Sequence, residues 1–127
     1  MGETADIADL AKGFFDAIEA GDIAAMQNCF SKDAEIWHNT DEKIVSPADT
    51  AVVLSGMVSR IKDVRYAERQ LTLFDGGFVQ QHALTGRRKN DDGAVRLPAA
   101  IICRVENGKI TRLDEYFDSA HVAEFRK

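Results

Sequence analysis

The second half of this chain is four long strand-like runs separated by turn-forming clusters, and that arrangement limits what it can fold into. Residues 64–74, 78–89, 95–106 and 110–117 show none of the helical spacing of the residues before them. Between them stand Asp75-Gly76-Gly77, Asn90-Asp91-Asp92-Gly93 and Asn107-Gly108. Gly, Asn and Asp tolerate the positive φ angles of tight hairpins, so the pattern predicts an antiparallel meander.

The first half follows a different period. Ile7, Leu10, Ala11, Phe14 and Ile18 recur at helical spacing, and Thr4 is placed to cap them. Gly21 stops this helix, and Asp22 caps a shorter one carrying Ile23, Met26 and Phe30. Residues 34–38 read as a strand. Ser46-Pro47-Ala48-Asp49 combines a cap, a first-turn proline and an acid three residues on. It opens a third helix with Ala51, Leu54, Val58 and Ile61 on its buried stripe. Asp118 and Ser119 offer a cap to a last helical turn through Phe125. The expected fold is α+β: three N-terminal helices on one face of a curved antiparallel sheet, with a short C-terminal helical turn. At 127 residues it is a single domain, 1–127. A curved sheet closed by helices forms a cone with a mouth.

Composition excludes several partners. A net charge of -5 argues against nucleic acid and against anionic membranes. No apolar run approaches a membrane span, and Met1-Gly2-Glu3-Thr4 does not open a signal peptide, so a cytoplasmic protein is expected. Cys29 and Cys103 sit at apolar-periodic positions and read as buried thiols, with a single bridge between them as the alternative. Three scattered histidines have no metal-ligand spacing, and no phosphate loop or nucleophile elbow is present. No metal and no cofactor are expected. Arg87-Arg88-Lys89, before a hairpin tip, reads as a solvated edge, and His121 as a solvated helix residue.

Strand alternation sorts the candidate site residues by face. In Ala34-Glu35-Ile36-Trp37-His38, Ala34 and Ile36 define the inward face, which His38 continues at the mouth, while Trp37 points out. Leu97, Ile101 and Cys103 face inward from the third long run. In the last run, a bulge near Thr111-Arg112 brings Ile110, Leu113 and Phe117 to one side and turns Glu115 inward. Without it, Asp114 faces in. The second long run has two registers: a three-residue turn with Gly93 in the left-handed region turns Gln81 inward, and a four-residue turn does the same for His82.

The stretches FDAIEAGDIAAMQNCF, SKDAEIW and ENGKITRLDEYFDSA resemble the SnoaL-like branch of the nuclear transport factor 2-like superfamily. The resemblance spans essentially the whole chain. It implies a cystatin-like cone shared with ketosteroid isomerases, limonene epoxide hydrolase, scytalone dehydratase and polyketide cyclases. By that resemblance, the isomerase's general-base aspartate falls on His38. Its two oxyanion donors fall on Phe14 and Ile101, whose side chains cannot donate, which argues against steroid isomerisation. The epoxide hydrolase's water-positioning aspartate falls on Glu115 and its asparagine on His38, but its Arg and Asp pair falls on Ala83 and Thr85. Scytalone dehydratase is the nearest chemical analogue if His82 also faces in.

The expected function is therefore a small hydrophobic-ligand pocket, with acid–base isomerisation, dehydration or hydrolysis of a polyketide- or terpenoid-like molecule. His38, Glu115 and His82 are the candidate catalytic residues. Phe14, Ile36, Asn39, Gln81, Leu97, Ile101, Leu113, Asp114 and Phe117 are the candidate ligand contacts. A homodimer through the outer sheet face, where Tyr116 stands, is expected. The alternative is a non-enzymatic binding or dimerisation module of the same fold.

Overall fold

A computed structural model describes residues 2–127, with side chains from Asp6 onward. The elements in chain order are α1 (Gly2–Glu19), α2 (Ile23–Asn28), β1 (Phe30–His38), β2 (Ile44–Val45), α3 (Pro47–Arg60), β3 (Ile61–Phe74), β4 (Gly77–Arg88), β5 (Ala94–Glu106), β6 (Lys109–Phe117) and α4 (Ser119–Phe125).

The expected signals act where the sequence carries them. Gly21 takes φ +73 after α1, and the Asp22 carboxylate accepts from Ala25 N at 3.1 Å. Ser46 and Asp49 form a reciprocal capping box ahead of Pro47. Asn107 and Gly108 both adopt positive φ, as a type I′ hairpin requires. Three boundaries differ. Thr4 falls inside α1 rather than ahead of it, and its side chain lies outside the described residues. Phe30 opens β1 instead of closing α2, and Ile61 opens β3 instead of closing α3. Ile61 is extended (φ -115, ψ 131), so the chain passes from helix to strand with no connecting loop.

The sheet order is β2-β1-β6-β5-β4-β3. The β3–β6 meander is antiparallel as predicted, but β1 joins β6 in parallel, which makes the sheet mixed. Helix α3 packs against both β1 and β3, four places apart in that order. In a flat sheet they would be roughly 19 Å apart, at about 4.8 Å per strand. One helix is only about 10–12 Å across. The sheet must therefore curl around α3, and it does so with bulges. Register shifts interrupt β3 between Lys62 and Arg65 and between Ala67 and Gln70, with Asp63 and Glu68 at positive φ.

The concave side holds the core, including fully buried Phe15, Phe78, Met26 and Ile110. Cys103 is buried, but Cys29 is half-exposed, and both are free thiols. No helix among the described residues is long and apolar enough to cross a membrane.

Candidate functional site

Between the concave sheet and helices α1, α3 and α4 lies a cavity of about 200 Å³. Phe14, Ile36, Leu97, Ile101, Leu113 and Phe117, the six apolar contacts read from the sequence, all line it. So do Leu54 and Met57 of α3, and Val122 and Phe125 of α4. Against this apolar wall stand His38, Glu115 and Tyr66, with Thr50, Arg60 and Arg126 completing the polar lining.

The parallel pairing of β1 with β6 sets His38 directly opposite Glu115. Their side chains meet at 3.1 Å, Nε2 to Oε1, with 29% and 20% of each exposed. The Phe117 ring packs edge-on against the imidazole, with centroids 5.8 Å apart. The hydrogen bond to Glu115 raises the His38 pKa above its ordinary 6.5. Burial opposes this, and the charges of Glu115 and Asp41 add to the rise. The imidazolium therefore contributes stability that is complete below about pH 6.5 and is lost as pH climbs through the raised value. Glu115→Gln removes the largest of these causes, so ring-proton NMR should show the His38 titration moving to lower pH. Asp114→Asn, the matched control, should leave it in place; an unmoved curve in Glu115→Gln would break the pair.

Asn39 corrects one expectation. Its side chain donates to Phe117 O at 3.1 Å and accepts from Phe117 N at 2.9 Å, while its own N–H donates to Glu115 O. The amide imitates one further strand residue, and Asn39 is not among the residues that line the cavity. The run Trp37-His38-Asn39 thus divides three ways. Trp37 packs edge-on against Tyr116 outside, with centroids 5.3 Å apart, His38 faces the cavity, and Asn39 ties off the ladder.

Two further candidates lie on the wrong face. Gln81 is exposed, while Gln80 and His82 are buried. Arg88 N donates to Gly93 O across a four-residue turn, and Asp92, not Gly93, takes the left-handed conformation at φ +61. Asp114 points outward, where Arg112 Nε donates to it at 2.9 Å. The bulge predicted near Thr111 is present: Arg104 pairs with Arg112 and Val105 with Ile110, leaving Thr111 unpaired.

His82 faces inward but does not line the cavity. It sits among Tyr66 and Phe15, with ring centroids at 4.6 and 5.3 Å. The Gln80 amide nitrogen meets its Nδ1 at 2.9 Å. The His82 Nε2 is buried without a partner among the described residues. Burial pushes its pKa down to about 4 despite the Glu115 charge, which keeps the ring neutral near pH 7. This ring backs Tyr66 rather than reaching a ligand. His121 also departs from expectation, being half-buried with Nδ1 unpartnered among the described residues.

Tyr66 is a polar cavity residue that the sequence did not disclose. Its backbone N–H donates to Glu19 Oε2 at 2.7 Å and its carbonyl accepts from Arg69 Nε at 3.2 Å. Arg69 in turn bridges Glu19 and Asp16 of α1, pinning this segment of β3 between its two bulges. The hydroxyl has no partner among the described residues. Burial, with the Glu115 charge nearby, pushes the phenol far above its ordinary value, so it stays neutral and able to donate.

Comparison with known proteins gives the family. A SnoaL-like domain model matches residues 11–113. The uncharacterized protein Rv0034 of Mycobacterium tuberculosis is 28% identical, with 92% of each chain covered. Among solved structures, PrhC from Penicillium brasilianum superposes with a TM-score of 0.81 at 11% identity, covering 95% of this chain and 85% of that one. An LEH-like epoxide hydrolase from Mycobacterium tuberculosis gives 0.74 at 15% identity, over 95% and 89%. A protein of ketosteroid isomerase-like fold from Catenulispora acidiphila, in complex with trimethylamine, gives 0.77 at 13% identity, over 89% and 88%. With its helix-closed cone, the chain belongs to the SnoaL-like domain family.

Proposed function

We propose that this protein is an acid–base enzyme acting on a small, mainly apolar molecule of polyketide- or terpenoid-like chemistry. The carrying observation is the His38–Glu115 pair, 3.1 Å apart on the wall of an otherwise apolar cavity that Tyr66 also lines. His38 moves the proton, Glu115 orients the ring and supports its charge, and the Tyr66 hydroxyl hydrogen-bonds the oxygen on which negative charge develops. Tyr66 thus supplies the donor that Phe14 and Ile101 cannot. Isomerisation, dehydration and hydrolysis all use these three roles. A cavity of about 200 Å³ lies below the ~300–1,000 Å³ usual for ligand sites, which favours one ring or a short chain over a fused four-ring substrate. The epoxide hydrolase and trimethylamine-bound relatives support small-molecule use of the fold.

The test is a panel of one-ring and short-chain ketones, hydroxyketones and epoxides incubated with the protein in D₂O. Mass spectrometry then follows deuterium uptake, loss of water or gain of water. Turnover by the parent and its loss in His38→Gln is the expected result. Binding of panel members by calorimetry with no turnover would instead establish the rival, a non-enzymatic binding module. Trp37 and Tyr116, packed edge-on on the outer sheet face, support a homodimer through that face. Light scattering at micromolar concentration checks this, and the mass of one chain would reject it.

A further inference from the structure

The cavity mouth carries two cations that the proposed chemistry does not use. Arg60 closes α3 and Arg126 follows α4 as its C-cap residue. Both line the cavity, and both also line an adjoining recess of about 320 Å³ whose other residues include Arg88, Lys89 and Lys127. Five cationic side chains thus gather beside one opening, in a chain whose net charge is -5.

The neighbours are already engaged. Arg88 pairs with Asp91 and donates to Glu124 O. Lys127 pairs with Glu124, and Lys89 donates to Val58 O. Arg60 and Arg126 form no ion pair among the described residues. A cation at a helix end ordinarily serves the last carbonyls of that helix. Neither guanidinium donates to a carbonyl among the described residues, so helix capping does not account for them. What remains is a pair of exposed, unpartnered forks at the junction of an apolar chamber and a polar recess, matched to an anionic oxygen group.

We infer that the ligand is an amphipathic acid, with its apolar body in the cavity and a carboxylate or phosphate held at the mouth by Arg60 and Arg126. This deepens the proposed function by naming a substrate class, and it rests on the reading of the cavity as a ligand site. Anchoring the charged end at the mouth fixes how far the body enters, and so which atom stands before His38 and Tyr66.

Calorimetry with 1-octanol, octanoate and octyl phosphate separates the contributions, because the apolar body is constant and only the head changes. The parent should bind at least one of the anions about tenfold more tightly than the alcohol, with the difference shrinking as salt rises. Comparison of octanoate with octyl phosphate tells which head the site takes. In Arg60→Gln/Arg126→Gln the preference should collapse toward equality while octanol binding is unchanged. His38→Gln should retain the preference, which separates the mouth from the acid–base pair. Both arginines are exposed, so the double variant should fold; if it does not, the single variants report the same ratio. Equal binding of all three by the parent, or a preference that survives loss of both arginines, overturns the inference but leaves the cavity reading intact. Failure of the parent to bind any of the three overturns both.

Discussion

His38→Gln should lower turnover of the cavity's substrate by roughly 10²–10⁴-fold, the usual contribution of a positioned general acid or base. That is about 3–5 kcal/mol of transition-state stabilisation. Glutamine keeps a polar side chain of similar length, so the fold and the packing against Phe117 should survive while proton transfer does not. The pH profile distinguishes this role from a structural one. If neutral His38 accepts the proton, the rate rises as pH passes through its pKa, which the Glu115 hydrogen bond raises. Glu115→Gln should therefore move the inflection to lower pH while reducing the rate less than His38→Gln. Tyr66→Phe should cost turnover without moving the inflection, since the phenol remains neutral throughout this range. Parent-like turnover in His38→Gln, with ligand still bound, would remove His38 from the chemistry.

Which parts of this site were readable depends on how local the deciding interaction is. His38 could be placed because three residues of alternation, Ala34, Ile36 and His38, lie within one uninterrupted stretch of β1. Glu115 could be placed because Ile110, Leu113 and Phe117 only share a face if a residue is squeezed out, and Thr111 is that residue. Gln81 and His82 could not be separated, because the hairpin register turns on whether Gly93 or Asp92 adopts the left-handed conformation, and both residue types tolerate it. Tyr66 was hidden for a related reason. Bulges on either side break the alternation of β3, so no extended pattern marks its inward face. The parallel contact of β1 with β6 joins residues 77 to 80 positions apart in sequence with no turn between them to announce it. Arg60 and Arg126 are more remote still. They line one opening only because the fold brings the ends of α3 and α4 to the same side of the cavity.

Phe15→Ala should destabilise the fold by about 3–5 kcal/mol, the range for truncating a fully enclosed phenylalanine. Phe15 has no exposed surface. Its ring meets Phe14 at 5.0 Å, Tyr66 at 4.9 Å, His82 at 5.3 Å and Phe78 at 6.4 Å, all edge-on. These contacts join α1 to β3 and β4, so the cost falls on the joint that holds the cone closed. Against a total of roughly 5–15 kcal/mol for a domain, the loss is large, and melting should fall by on the order of 10–20 °C. Urea denaturation measures it directly; a loss below about 1 kcal/mol would mean that the ring is not enclosed as described. The neighbouring Phe14→Ala is the informative comparison. Phe14 already borders the cavity, so its truncation enlarges an existing space rather than opening a sealed one, and its effect should appear first in ligand affinity. Phe15 also forms the wall behind Tyr66 and His82. Well below its lowered melting point, Phe15→Ala should therefore show the turnover loss of Tyr66→Phe while His38 titrates as in the parent. That combination ties the core to the site through the position of a single hydroxyl.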